Sequence, residues 1–230
     1  MSTNGHVWAP EVVQICCWMY QKGFIASSEG NVSVRLEPDR LLVTPRGVHK
    51  GFLRPEHLVV TDLEGCRVSG ELLPSSEISL HLAVYHERQD VQAVIHAHPT
   101  TAVACTLAGI SLAEGIIPEV ITALGAIPTV PYTTPGTPEL GLTMRPAIHQ
   151  FDAIMLARHG SVTVGADLQE AYSKLEMLEH AAQILYLARL LGPVNPLPQE
   201  EVTRLLRAGG HPLLPGMQPS QPPESIHMGK

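Results

Sequence analysis

The stretch VQAVIHAHP, Val91 to Pro99, decides how this chain is read. An apolar run of this length, rich in β-branched residues and closed by proline, reads as a buried β-strand. Residues two apart on a strand share a face, so His96 and His98 converge on one point. Two imidazoles in such a strand are costly unless both ring nitrogens find partners. A divalent metal supplies them; a hydrogen-bonded core pair is the alternative. The segment DAIMLARHG, 152–160, repeats the theme. Its apolar strand ends in His159, and Gly160 permits a sharp turn that would present the ring. Three histidines at two strand ends make a catalytic metal set with an open position for substrate oxygens. Alone, His159 reads equally as a strand-terminal polar group bonded to backbone.

Around these segments strands and helices alternate. Ala9 to Gly23 reads as a helix opened by Pro10 and Glu11, with Val12, Ile15, Cys16 and Met19 at helical spacing and Gly23 as its cap. Val32, Val34 and Leu36 alternate with Ser33 and Arg35 as a half-buried strand, followed by the strands LLVTPRG (41–47) and HLVVTDLEG (57–65). Ser76 to Arg88 is expected to be a helix capped by Ser75 or Ser76, and Thr100 to Leu107 another. IPTVPY (127–132) reads as a short edge strand, and Thr137 to Gln150 as helical if Pro146 is tolerated. After DAIMLARHG, VTVG is a further strand. Asp167 to Leu191 is the strongest helix, with an apolar stripe from Leu168 to Ala188, Asp167 as cap and Gly192 as stop. The expected organisation is one α/β domain over residues 1–208, around a mixed or antiparallel sheet. Residues 209–230, rich in proline and glycine, form a tail or an arm on another surface.

Composition narrows the function. With 230 residues, 44% hydrophobic and 16% charged, the chain can bury a sizeable core. Fifteen Lys+Arg against 22 Asp+Glu give a net charge of −7, and the pI is near 5.9. A general nucleic-acid or anionic-membrane binder would need a basic face instead. No cationic stretch followed by an apolar run marks a secretory signal, and no run approaches the roughly 18 apolar residues of a membrane span. Cys16, Cys17, Cys66 and Cys105 show neither C-x-x-C spacing nor disulfide density, so a reduced, cytoplasmic protein is expected.

Three loops of small and hydroxylated residues accompany the histidines. Ser75-Ser76-Glu77 opens a helix, where free N–H groups and the helix dipole favour an anion. Ser27-Ser28 with Gly30-Asn31, and Thr44-Pro45-Arg46-Gly47, can each cradle a phosphate through backbone N–H groups or serve as ordinary turns. Glu77 reads either as a first-turn carboxylate or as a catalytic one.

In their order, EGNVSVRL, LLVTPRG, LPSSEISLHLAVYHERQDVQAVIHAHPT, PYTTPGTPEL and LARHGSVTVGADLQEAYSKLEMLEHAAQI resemble the class II aldolase/adducin family from about Pro10 to about Pro198. The resemblance implies a three-layer α/β/α single domain with a central, mainly antiparallel sheet, and a homotetramer with active sites between subunits. It implies His96, His98 and His159 as metal ligands, joined by Glu77 when substrate is absent, and Glu77 as catalytic acid/base. One divalent ion per chain is expected, Zn²⁺ first and Mn²⁺ or Co²⁺ next. Ser28, Asn31, Gly47, Ser75 and Ser76 match the substrate-phosphate site. Arg46 stands where an aldolase of the family has threonine, and can hold phosphate or another anionic group. The stretch GIIPEVITALGAIP lacks the tyrosine a neighbouring subunit contributes as proton donor, leaving Glu119 and Tyr132 as substitutes.

The implied activity is reversible cleavage of a ketose 1-phosphate, of the fuculose, rhamnulose or 5-deoxy- or 5-methylthio-ribulose type. Its products are dihydroxyacetone phosphate and an aldehyde, formed through a metal-stabilised enediolate. The apolar segment 116–128 favours a deoxy or thioether aldehyde. Sugar-phosphate 4-epimerases of the family carry aspartate in place of Glu77. Dehydratases and decarboxylases share the metal site and are the alternative. A non-enzymatic, adducin-like module would have lost the ligands that are intact here.

Overall fold

The structure, a computed structural model, describes residues 5–113 and 117–213. The expected tail lies outside these residues beyond 213. Eight strands form one sheet in the order β4-β3-β2-β1-β5-β8-β7-β6. They are β1 Asn31–Glu37, β2 Arg40–Val43, β3 Val59–Thr61, β4 Arg67–Ser69, β5 Ala93–Ala97, β6 Thr129–Val130, β7 Ala153–Leu156 and β8 Gly160–Gly165. Every pairing is antiparallel except β6 with β7. The proline-flanked β6 is the two-residue edge strand its sequence implies.

Helices cover both faces, as a three-layer α/β/α domain requires. On one side lie α1 Gly5–Gln21, α3 Thr100–Leu107 and α6 Leu168–Leu191; on the other, α2 Ile78–Glu87 and α5 Pro138–Ile148. Strand alternation sorts the core between them. Val32 and Val34 of β1 and Ala93, Ile95 and Ala97 of β5 join Val12, Ile15, Met19, Leu168 and Leu175 in one cluster. Val94, Ile154, Val162 and Val164 join Leu80, Val84, Leu140 and Met144 in the other.

Several expectations change. The strand at 32–36 is buried on both faces rather than half-buried, because β1 lies inside the sheet between β2 and β5. Its second face carries Ser33 and Arg35, both buried. Helix α1 begins at Gly5, so Pro10 lies inside it instead of opening it; proline forfeits one N–H bond near that end. The N-cap of α2 is Glu77, not a serine, although the Ser75 Oγ accepts the Glu77 N–H at 3.2 Å. Strand β4 and helices α4 (Pro118–Leu124) and α7 (Gln199–Ala208) are additions; α4 and α7 pack together through Ile121, Val202 and Leu206. Asp167 caps α6 by accepting the Glu170 N–H, as its sequence implies. Among the described residues no helix is long and apolar enough to cross a membrane.

Candidate active site

Glu77, His96, His98 and His159 meet at one end of the central strands, their ligand-type atoms all within 4.8 Å of one another. His96 lies on β5 and pairs with Asn31 of β1 and Val162 of β8, at the centre of the sheet. His98 follows the strand by one residue, held by its N–H bond to the Phe24 carbonyl. His159 does not end a strand: β7 stops at Leu156, and the ring hangs from the tight β7–β8 turn, where Arg158 takes the left-handed conformation (φ 62°). Gly160 serves close approach rather than a special φ. A Cβ there would lie 2.7 Å from the His98 ring and 3.0 Å from the His96 ring, besides striking the Ala97 carbonyl. Gly30 plays the matching part on β1's side: with φ +67° it passes close against the His96 carbonyl.

The protons of these rings follow from their neighbours. His96 Nδ1 is 2.9 Å from the Ser161 carbonyl, and His98 Nδ1 is 3.4 Å from the Glu29 carboxylate. Both partners only accept, so both Nδ1 atoms carry hydrogen and both Nε2 atoms present lone pairs. Those two Nε2 atoms face each other at 3.0 Å. Burial pulls the pKa of His96 down to about 3 and lowers that of His98, which keeps the imidazoles neutral. Two facing lone pairs with no proton to share are suited to a common cation. The Nδ1 of His159 is buried without a hydrogen-bond partner, a further polar atom the protein leaves unsatisfied. This donor set, three imidazoles and a carboxylate, fits a divalent transition ion.

Glu77 lies between the rings, with Oε1 3.1 Å from His159 Nε2 and Oε2 3.5 Å from His96 Nε2. The Asn31 amide donates to Oε2 at 3.0 Å. Burial would raise its pKa, but the hydrogen bond from His159, the neighbouring His96 and the Asn31 amide prevail and hold the carboxyl well below its usual range.

The expected anion loops gather beside this cluster. Ser75 N–H bonds to Thr44 O and Arg46 N–H to Leu73 O, which stitches the 44–47 loop to the 73–75 segment. Lys50, 2% exposed, donates from Nζ to the carbonyls of Ser28, Pro45 and Val48, clamping the first loop to the second. Ser28, Arg46, Gly47 and Ser76 are exposed on these loops; Asn31 and Ser75 are buried beneath. Glu119 and Tyr132 stand apart: Glu119 is exposed on the first turn of α4 and Tyr132 is 59% exposed after β6. No hydrogen bond or ion pair joins either to the cluster among the described residues. Sequence reasoning missed Lys50, Glu29 and His81. Lys50 had a signal, a charge between two glycine-containing turns; His81 had one in its place on the apolar side of α2.

The sequence profile of the family described as Class II Aldolase and Adducin N-terminal domain matches residues 10–186, and the chain belongs to that family. It is 35% identical over 182 residues to a 3-oxo-tetronate 4-phosphate decarboxylase of Pectobacterium atrosepticum, covering 77% of this chain and 83% of the relative. It is 34% identical over 177 residues to an L-fuculose phosphate aldolase of Methanococcus maripaludis, covering 77% and 95%. The crystal structure of L-fuculose-1-phosphate aldolase from Thermus thermophilus superposes with a TM-score of 0.72 at 32% identity, covering 81% of this chain and 97% of that one.

Proposed function

We propose that this chain is a metal-dependent lyase that reversibly cleaves a ketose 1-phosphate to dihydroxyacetone phosphate and an aldehyde. The observation that carries the reading is a carboxylate, Glu77, fixed by Asn31 on one oxygen and standing among three imidazoles with the other. His96, His98 and His159 hold one divalent ion, Zn²⁺ first among the candidates. When bound, that ion supplies stabilisation for the negative charge that builds on oxygens flanking the cleaved bond. Ser28, Asn31, Gly47, Ser75 and Ser76, with Arg46 at the rim, bind the phosphate far from the reacting bond and orient the ketose end. Cleavage of C3–C4 passes the C4 hydroxyl proton through a base to the Glu77 carboxylate, releases the aldehyde and leaves an electron pair at C3. Glu77, in its acid form, returns a proton to C3; in synthesis it removes the same proton. A homotetramer would let Glu119 or Tyr132 of a neighbouring copy attend the C4 oxygen.

Arg46 and the decarboxylase relatives favour a second reading. A 3-oxo-tetronate 4-phosphate that loses carbon dioxide also leaves dihydroxyacetone phosphate, through the same electron pair beside a carbonyl, and an arginine can hold the carboxylate first. One assay separates the two. Metal-loaded protein is offered a panel of ketose 1-phosphates and 3-oxo-tetronate 4-phosphate, and triose phosphate, aldehyde and carbon dioxide are measured. Triose phosphate with an aldehyde supports the aldolase. Triose phosphate with carbon dioxide establishes the decarboxylase, and neither product, with no metal bound, reduces the chain to a binding module.

A further inference from the structure

Behind Glu77 a line of polar groups runs through the α2 face of the sheet, where apolar side chains are the rule. Asn31 Nδ2 donates to Glu77 Oε2; Asn31 Oδ1 meets His81 Nε2 at 2.5 Å; His81 Nδ1 meets Ser33 Oγ at 2.6 Å; Ser33 Oγ meets the Tyr85 hydroxyl at 3.0 Å. The Arg35 guanidinium stacks over the Tyr85 ring at 4.7 Å and donates to the Tyr85 carbonyl, closing the far end. Asn31, Ser33, His81 and Tyr85 are all at most 3% exposed.

The direction of every bond is fixed from the Glu77 end. A carboxylate only accepts, so Asn31 turns its NH₂ toward it and its oxygen away. His81 Nε2 must then carry hydrogen, and its bare Nδ1 takes the Ser33 hydroxyl proton. Burial, opposed in part by the Glu77 charge, keeps His81 in this neutral form, with a pKa down to about 4. The line cannot conduct a proton, because an amide in its middle neither gains nor loses one. What it does is reinforce a choice: an asparagine amide is nearly symmetric in shape, and the carboxylate in front and the donor at its back both select the same end.

We infer that His81 is a positioning residue for the acid/base. By donating to Asn31 it holds the Asn31 NH₂ against Glu77 Oε2, which pins that oxygen and leaves Oε1 as the proton-carrying position among the imidazoles. The inference rests on Glu77 being the acid/base, and its first test does not. In a crystal structure of metal-loaded His81→Met, which fills the volume and removes the donor, the Asn31 amide should rotate or the Glu77 carboxylate should leave its place. An unmoved Asn31 and Glu77 overturn the inference whatever the enzyme's reaction.

The second readout is exchange of the C3 proton of dihydroxyacetone phosphate with solvent deuterium, followed by NMR. His81→Met should lower the maximal exchange rate about 10–100-fold. His81→Gln, whose amide can still donate to Asn31, should recover most of it. In an Asn31→Leu background His81→Met should add no further loss, since it acts through Asn31. Additive losses, or a His81→Gln variant as slow as His81→Met, would mean a structural role only. Absence of exchange in the wild-type protein would refute Glu77 as the base and leave the crystallographic result to decide the positioning.

Discussion

Replacing Glu77 with glutamine divides the catalytic from the structural account of this residue. The side chain is about 15% exposed and accepts two bonds, from Asn31 at 3.0 Å and from His159 at 3.1 Å. Glutamine has the same shape. Its oxygen can still accept from Asn31, while its NH₂ turns toward His159. Folding therefore loses one charge-assisted bond but is relieved of burying a carboxylate, a net effect of about 1 kcal/mol in either direction. Were Glu77 only a favourable charge at the start of α2, the change would cost about 0.3–1 kcal/mol in stability and leave turnover alone. As the acid/base, it loses proton transfer, a factor of roughly 10²–10⁴, or about 3–5 kcal/mol in the barrier. Solvent-deuterium exchange at C3 of dihydroxyacetone phosphate reads this step without any aldehyde. Metal content, measured alongside, should stay near one ion per chain because three imidazoles remain. A metal-loaded Glu77→Gln variant exchanging at the wild-type rate would refute the reasoning and turn attention to Glu119 and Tyr132.

Alanine at His96, His98 or His159 should reduce bound metal and activity together; elemental analysis showing full metal in any of the three excludes that histidine as a ligand. Ser76→Ala should raise KM for phosphorylated ketoses and leave kcat nearly unchanged, and equal turnover of unphosphorylated sugars by the wild type would dismiss the phosphate site. Asp152 takes bonds from Lys174 at 2.7 Å and Arg88 at 2.9 Å. Burial would raise its pKa, but these two cations depress it. A depressed carboxylate stabilises the fold above its unfolded pKa of about 3.9 and stops doing so as pH falls through the lower folded value. Asp152→Asn should thus lose roughly 1–3 kcal/mol at neutral pH, the deficit narrowing in acid below the ordinary aspartate range. Urea unfolding at several pH values measures it, and a deficit that grows in acid contradicts the assignment.

Most of this architecture was legible where one residue type answers to one physical need. Asp167 before an apolar stripe gives α6, alternation gives β1, and a continuous apolar run gives β5. The histidine pair was legible because a strand repeats every two residues, so spacing alone sets direction. His159 was legible as a partner of the histidine pair but for the wrong local reason: the turn strains Arg158, whereas Gly160 is needed to clear the rings of His96 and His98. A sequence cannot show such clearance, because the crowding atoms come from elsewhere in the chain. The same holds for Lys50 and His81. A lysine between turns looks solvated until three carbonyls close around it, and a histidine on α2 looks like core until Asn31 and Ser33 are placed opposite. Helices α4 and α7 were missed because each is short and buries few residues, mostly against the other.

The Glu77, His96, His98 and His159 cluster has an order of assembly built into it. His96 comes from β5 and His98 from the residue just after it, but His159 arrives only when the β7–β8 hairpin has docked, with His96 opposite Val162 across the β5–β8 ladder. A chain still emerging from the ribosome, synthesised through His98 but not β8, carries Glu77 and two of the imidazoles but lacks the third. The full four-residue cluster is complete only once the sheet has closed, so an ion it holds would be bound late. It should act as a late rivet: refolding rates with and without Zn²⁺ should coincide, while unfolding slows when the ion is present. Faster refolding in Zn²⁺, seen by stopped-flow fluorescence of Trp8 and Trp18, would show instead that the half-formed site already recruits its ion. If the order holds, the choice of metal in the cell is made by a finished protein from whatever pool surrounds it, and not by the nascent chain.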